Sequence, residues 1–174
     1  MQLSSDFFLC HPLWEKADAE LVHSLGLYGR LIDVFVIACA IGIQEDKIIL
    51  KKDIDEPLEN EKTIGRNTYL SAGNADLGDV LNFMLQNAII NTSHLDWDSE
   101  KRLEAALNPD CVIEKFRPTE FLVSFANYGI VQIFEHVNQS THSSAIIQKE
   151  LNDYYQEIVD KNYYEGIEIH YNLD

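Results

Sequence analysis

One almost uninterrupted apolar stretch, residues 30–43, most constrains what this chain can fold into. Only Arg30 and Asp33 are charged within it, and Gly42 interrupts the apolar run near its end. A helix that is apolar on every side has to be enclosed by other helices. Because the stretch is shorter than the ~20 apolar residues that a membrane span needs, it predicts the buried central helix of a soluble helical domain.

Apolar residues recur at helical spacing in several further segments, which predict helices at 13–25, 77–89, 99–107, 121–137 and 144–159. Gly26 and Pro109 follow two of these segments, as is typical of helix ends. We therefore predict a mainly α protein, a single-domain helical bundle over residues 1–174. Its core is expected at about 12–138, followed by a C-terminal helix and strand-like tail at 144–174.

The last residues change from helical spacing to alternation. Ile167, Ile169 and Tyr171 alternate with polar residues, which is the period of a half-buried strand. Such a segment can form a small C-terminal β strand that pairs with a sheet edge of this chain or of a partner. We therefore take these three residues as candidate partner-binding residues.

Three other segments are less regular. Residues 6–10 are short and aromatic, and fit either a strand or an arm packed on the core. Residues 64–70 fit either a short strand or a helical turn. Residues 44–61 are rich in Asp, Glu and Lys and contain Pro57, which predicts a long solvated loop; loops of this length are often functional or mobile.

The formal net charge of −16 limits the partners that the protein can bind. Such a surface repels phosphate backbones, whose neutralisation supplies most non-specific nucleic-acid affinity. Direct binding to DNA or RNA is therefore disfavoured. The charge is compatible with three roles: solubility alone, an acidic face for a basic partner protein, or mimicry of a phosphate backbone.

The cysteines and the first residues predict a cytoplasmic protein. Cys10, Cys39 and Cys111 are scattered and odd in number, which suits a reducing compartment better than a disulfide framework. The chain begins without the basic start and apolar core of a signal peptide. No stretch is long enough to span a bilayer.

The acidic group at residues 96–100 is the first candidate for chemistry. A calcium-binding loop needs a glycine at its sixth position, which this group does not provide. Asp98 and Ser99 are better explained as the start of a helix, where acids and small polar residues are favoured. We keep a small metal-dependent hydrolase that uses these acids only as an alternative.

The segment 109–115 is the second candidate, because a Pro-Asp pair followed by an acid and a lysine is typical of metal-dependent nucleases. Here Glu114 and Lys115 are adjacent, so on a strand they would face opposite sides. We interpret this segment as a surface loop. No histidine pair has the spacing of a helical zinc site, and no phosphate loop or nucleophile elbow is present. The sequence thus predicts no catalytic residue, metal ligand or cofactor.

Two stretches together carry a family resemblance. The helix Asp-Val-Phe-Val-Ile-Ala-Cys-Ala-Ile-Gly that begins at Asp33, and the later motif Phe-Ala-Asn-Tyr-Gly-Ile that begins at Phe125, resemble motifs of small helical proteins encoded beside DNA phosphorothioation (Dnd) systems. The resemblance covers about residues 28–137; the acidic loop is longer here, and residues 140–174 have no counterpart. It implies a role in DNA modification or phage defence without catalytic residues.

The resemblance marks Asp33, Asn127 and Gly129 as structural signature residues, and we include Arg30 and Gly42 of the same apolar helix with them. An asparagine in an apolar helix needs a buried hydrogen-bond partner, and we expect Asp33 or Arg30 to supply it. We also expect the two motif helices to touch, with Gly129 and either Ala38 or Gly42 allowing a close approach.

These observations favour a non-enzymatic accessory subunit of a prokaryotic DNA-modification or anti-phage defence system. It would bind a larger protein partner, a nuclease or an ATPase of that system, and no cofactor. The alternatives are an acidic DNA-mimic decoy and, with less support, the metal-dependent hydrolase. The sequence leaves the oligomeric state open.

Overall fold

The apolar stretch folds as the buried helix α2 (Leu31–Gln44), which lies along α6 (Pro118–Gln139). The computed structural model describes residues 1–71, 75–139 and 144–165. The side chains of α2 that pack into the core are Ile32, Val34, Phe35, Ala38, Cys39 and Ile41. The prediction of a mainly helical bundle around a buried central helix is therefore confirmed.

The remaining α-helices surround this pair. They are α1 (Leu13–Lys16), α3 (Asn67–Leu70), α4 (Ala75–Asn91), α5 (Ser99–Leu107) and α7 (Ser144–Glu165). The buried cluster also includes Leu3, Phe7 and Leu9 near the start of the chain, and Ile147 and Leu151 of α7. Within the described residues, no helix is both long and apolar enough to cross a membrane.

A two-stranded antiparallel sheet covers one side of α6. It joins β1 (Phe7–Leu9) to β2 (Lys62–Ile64), with Phe7 opposite Ile64. Phe7 and Leu9 face the core while Phe8 faces outward, as the two-residue period of a strand requires. Of the two segments that the sequence left open, residues 6–10 thus contain the strand β1. Residues 64–70 contain the end of β2 and the short helix α3.

The first helical segment departs from regular α geometry. After α1 the chain continues as a π-helix, Ala17–Ser24, in which the N–H of Leu25 donates to the carbonyl of Glu20 at 2.7 Å. Trp14 of α1 and Ala17 and Leu21 of the π-helix are buried in the core. Gly26 follows with φ at 61°, a conformation that glycine adopts without strain, and so it ends the helix where the sequence predicts.

The acidic segment 45–61 is more closely attached to the protein than the prediction of a solvated loop allows. The N–H of Ile49 donates to the carbonyl of Ser124 at 2.9 Å, and the N–H of Leu58 donates to the carbonyl of Cys10 at 2.8 Å. A short 3-10 turn, Lys51–Asp53, lies between these two attachments. We call residues 45–61 the anchored loop.

Candidate functional site

Gly42 and Gly129 bring the backbones of α2 and α6 into contact. A Cβ atom added to Gly129 would lie 1.9 Å from the carbonyl oxygen of Ala38, and one added to Gly42 would lie 2.3 Å from that of Phe125. The two contacts are reciprocal, because each glycine faces the residue one helical turn before the other glycine. The expected touch between the two motif helices is therefore confirmed.

Asn127 joins three parts of the chain. Its side chain is only 1% exposed, so both ends of the amide need partners. The indole Nε1 of Trp14 donates to Oδ1 at 2.9 Å, and Nδ2 donates to the carbonyl of Ile49 at 3.2 Å. Asn127 thus connects α6 to α1 and to the anchored loop.

The expectation that Arg30 or Asp33 would bind Asn127 was wrong. These two residues pair with each other at 2.9 Å on the exposed start of α2. The antiparallel register of the helices places Asn127 beside the C-terminal half of α2, at the opposite end from this pair. Of the five signature residues, the structure brings Gly42, Asn127 and Gly129 together and leaves Arg30 and Asp33 outside.

A cavity of about 580 Å³ opens beside Asn127, between β1, the anchored loop and the first half of α6. Its inner wall consists of buried side chains, among them Cys10, Val123 and Ser124. Burial raises the pKa of the Cys10 thiol, so at neutral pH the inner wall carries no thiolate. The charged residues that line the cavity are Asp6, Lys51, Lys52, Glu61, Arg117 and Glu120.

A second surface feature is an apolar stripe on the outer side of α4. Phe83 is 66% exposed, and Val80 and Ile90 are also exposed on the same side of the helix. The neighbouring helix α5 exposes Leu103 and Leu107. Exposed large apolar side chains that share one face are typical of protein-binding surfaces. We call Val80, Phe83 and Ile90 the α4 face.

The acids at 96–100 take structural positions. Asp98 caps α5, since its carboxylate accepts from the N–H of Lys101 at 2.8 Å, as the sequence predicts. Glu100 lies in the first turn of α5, where the helix dipole favours an acid. In the part of the chain that the structure describes, no three His, Cys, Asp or Glu side chains are grouped so as to hold a metal ion.

The candidate partner-binding residues Ile167, Ile169 and Tyr171 lie outside the described residues, as does the predicted C-terminal strand. The helix before them, α7, extends beyond the predicted end at Val159 to Glu165.

Arg102 organises the turn between α4 and α5, a role that sequence spacing did not indicate. Its guanidinium donates to the carbonyls of Thr92 at 2.6 Å and Trp97 at 3.0 Å, and also to that of Leu95. Further bonds reach the carbonyls of Ile89 and Ile90 at the end of α4. One half-buried side chain thus satisfies the backbone acceptors that a helix end leaves free.

Asp46 holds the start of the same turn. It has a positive φ of 48° just after α2, and its carboxylate accepts from the hydroxyl of Thr92 at 2.6 Å and the N–H of Ser93 at 2.8 Å. Partial burial opposes ionisation, but the hydrogen bonds from Ser93 and Thr92 and the nearby His94 outweigh it and lower the pKa of Asp46. A lone aspartate in an acidic segment gives no sequence signal for this role.

Comparison with known proteins identifies no relative: no protein-family model, curated protein or solved structure matches this chain. The fold and the two surface features described above are therefore the basis for a functional proposal.

Proposed function

We propose that this protein is a non-enzymatic accessory subunit that binds a larger protein partner through the α4 face. The observation that carries the proposal is the exposure of Phe83, Val80 and Ile90 along one helix. Burying an exposed aromatic side chain at the centre of an interface supplies much of the binding energy in protein complexes. Phe83, the most exposed of the three, is the natural anchor.

The charges around the α4 face define the chemistry of the partner. The exposed acids of α4, α5 and the turn between them are Asp76, Asp79, Asp96, Asp98, Glu100 and Glu104. Lys101 is the exposed base among these elements, and it lies 4.8 Å above the ring of Trp97. The surface therefore favours a partner with an apolar groove bordered by Lys and Arg, because opposite potentials speed association and exclude wrong partners.

A nuclease or an ATPase that acts on DNA is rich in Lys and Arg, and the groove proposed here lies outside its DNA site. The resemblance to proteins encoded beside DNA phosphorothioation systems supports a partner of this kind in a prokaryotic modification or anti-phage defence system. Three unpaired cysteines support a cytoplasmic location, where thiols stay reduced. This assignment is our proposal for the biological setting.

Co-purification from the native host tests the proposal. The tagged wild-type protein is expected to retain a nuclease or an ATPase of a defence system, whereas Phe83→Asp is expected to lose it. Val159→Asp on α7 is the matched control, because it places the same charge at a similarly exposed apolar position. Circular dichroism spectra and unfolding midpoints establish that all three proteins are folded.

Two results would contradict the proposal: no defence protein co-purifies with the wild-type chain, or the partner binds Phe83→Asp as well as wild type. Competition with duplex DNA separates the accessory role from the DNA-mimic alternative. A decoy occupies the partner's DNA site and is displaced by DNA, whereas a subunit bound through the α4 face remains bound.

A further inference from the structure

An open groove lies between α2 and the second half of α7. Its walls include Ile37, Ala40 and Gln44, which share one side of α2 at helical spacing, and Tyr155 and Val159 of α7. Its volume is about 410 Å³. No residue of α4 is among the described residues that line it, so an inference about this groove does not depend on the partner proposed for the α4 face. We call it the α2–α7 groove.

The α2–α7 groove leaves one side of the central helix uncovered. α2 is apolar all round, and such a helix has to be enclosed by other segments. Ala40 is nevertheless exposed and Ile37 only partly buried, and Val159 on the opposite wall is 57% exposed. Over the ranges that the structure describes, no segment closes the groove, so a further apolar segment is needed to complete the enclosure.

The wall formed by α7 is held in place. Ile147 and Leu151, in the first half of α7, are buried in the core. The hydroxyls of Tyr28 and Tyr155 share a hydrogen bond at 2.7 Å, which fixes the middle of α7 to the residues before α2. A groove whose walls are already fixed requires little ordering when a segment enters it.

The chain itself provides an apolar segment, because residues 166–174 follow α7 directly. We call them the C-terminal tail; they lie outside the described residues. The tail begins with Gly166, and a glycine after a helix commonly ends it in a left-handed conformation that turns the chain away from the helix axis. Ile167, Ile169 and Tyr171 then alternate with polar residues, so an extended tail has one apolar side.

The length of the C-terminal tail is sufficient to cover the groove. A helix rises 1.5 Å per residue, so Tyr155 lies about 15 Å before Glu165 along α7. Extended residues rise ~3.3 Å each, so the tail spans up to about 30 Å. A tail that turns back after Glu165 can therefore return along the whole α2–α7 groove.

We propose that the C-terminal tail turns back at Gly166 and fills the α2–α7 groove of its own chain. Its apolar side packs on α2 and α7, and its polar side faces solvent. By the rises given above, Ile169 returns to the level of Val159 and Tyr171 to that of Tyr155. The residues that the sequence predicts to bind a partner thus complete the enclosure of the central helix.

Attachment favours the tail of the same chain over the tail of a second copy. The tail begins at the end of the helix that forms one wall of the groove. A short tether of this kind gives an effective concentration in the millimolar range. A second copy at micromolar concentration competes poorly with it.

Thiol labelling of the full chain tests this docking. The variant Gln44→Cys places a reactive thiol in the groove. Cys111→Ser removes the partly exposed thiol, and the two remaining cysteines are buried. The rate at which N-ethylmaleimide reacts with the new thiol therefore measures how well the tail covers the groove.

Substitutions in the tail identify the side that docks. Ile169→Ser/Tyr171→Ser removes two apolar side chains and is expected to speed labelling about tenfold. His170→Ser/Asn172→Ser is the matched control, because it changes the polar side of the same tail, and it should leave the rate unchanged. A thiol placed instead at Leu107→Cys on α5, which is 67% exposed and outside the groove, should react at the same rate with every tail.

Disulfide formation identifies whose tail is bound. In the same background, Gln44→Cys/Ile169→Cys is expected to form a disulfide within one chain when oxidised glutathione accepts the two electrons. The product is a monomer on a non-reducing gel, and its two new thiols no longer react with maleimide. Phe83→Cys/Ile169→Cys, with its first thiol on the α4 face, should not form this bond within the chain.

Four results overturn the proposal. Three are equal labelling of Gln44→Cys with the wild-type tail and with Ile169→Ser/Tyr171→Ser, equal acceleration by His170→Ser/Asn172→Ser, and no disulfide within the chain. The fourth is a disulfide-bonded dimer, which would assign the groove to the tail of a second copy.

The partner assay and the labelling assay test separate statements. Val159→Asp places a charge in the wall of the groove, so it is expected to release the tail and speed labelling, yet it leaves the α4 face intact and retains the partner. Phe83→Asp is expected to lose the partner and to keep the slow labelling of the wild-type tail.

Discussion

Gly129 faces Ala38 without room for a side chain, since a Cβ at Gly129 would lie 1.9 Å from the carbonyl oxygen of Ala38. The atom in the way is backbone of a buried helix, so it cannot move aside as a flexible side chain would. Gly42 stands in the same relation to Phe125. The two glycines thus set the distance between the helices that form the core.

Replacement of Gly129 by alanine should separate these helices. We expect Gly129→Ala to lower the free energy of unfolding by about 3 kcal/mol, because overpacking a tight contact outweighs the gain in helix propensity. Gly65→Ala is the control, as nothing lies within 4 Å of its Cβ position; a change within about 0.5 kcal/mol is expected there. Urea unfolding measures both, and equal effects would contradict the contact.

Removal of the Asn127 amide should destabilise the protein, because this amide connects three segments of the chain. Asn127→Leu leaves the buried indole N–H of Trp14 and the partly buried carbonyl of Ile49 without partners, which we expect to cost about 3 kcal/mol. Trp14→Phe removes one of these groups, so the double variant should lose less than the sum of the singles. Additive losses in this cycle, measured by urea unfolding, would show that the bond contributes little.

Arg102 should be irreplaceable even by lysine. Lysine has a single ammonium group. It cannot donate at the same time to the carbonyls at the end of α4 and to those of Leu95 and Trp97. Arg102→Lys is expected to lower the free energy of unfolding by about 2 kcal/mol and to speed hydrogen exchange at the C-terminal turn of α4. Arg66→Lys, at an exposed position, is the control and should leave both measurements near wild type.

Low pH should destabilise the folded protein partly through protonation of Asp46. The pKa of Asp46 in the folded state lies below the unfolded value of about 3.9. Its contribution to stability is therefore fully present above the unfolded pKa and is lost as the pH falls through the folded pKa. Asn keeps the shape and tolerates the positive φ. We expect Asp46→Asn to be less stable than wild type at pH 7 and to differ less below pH ~3; a constant difference in urea midpoints would argue against this role.

The positions of the helices could be predicted from the sequence, because each helix depends on a local pattern of residues. The apolar run of α2 requires enclosure on every side, and Asp98 marks the start of α5 because an acid is favoured there. The role of Gly129 could be predicted, because a glycine inside an apolar helix is unfavourable unless it allows another helix to pack closely.

The partners of Asn127 and Arg102 depend on contacts between segments distant in the chain, which spacing does not encode. The expectation that Asp33 or Arg30 would bind Asn127 was wrong, because the register of α2 against α6 decides which turn faces the amide. The π-helix also escaped prediction, because its apolar positions fit α spacing as well. The cavity is formed by three segments together, so no single segment signals it.

The bond between Trp14 and Asn127 joins residues 113 positions apart, which has a consequence for how the chain is made. During synthesis the N-terminal segments emerge first, yet α2 cannot be buried until α6 has left the ribosome. Its apolar sides stay exposed through that interval, when chaperones can bind them. Contacts this distant in sequence also slow folding, so the last third of the chain sets the time at which the first third becomes stable.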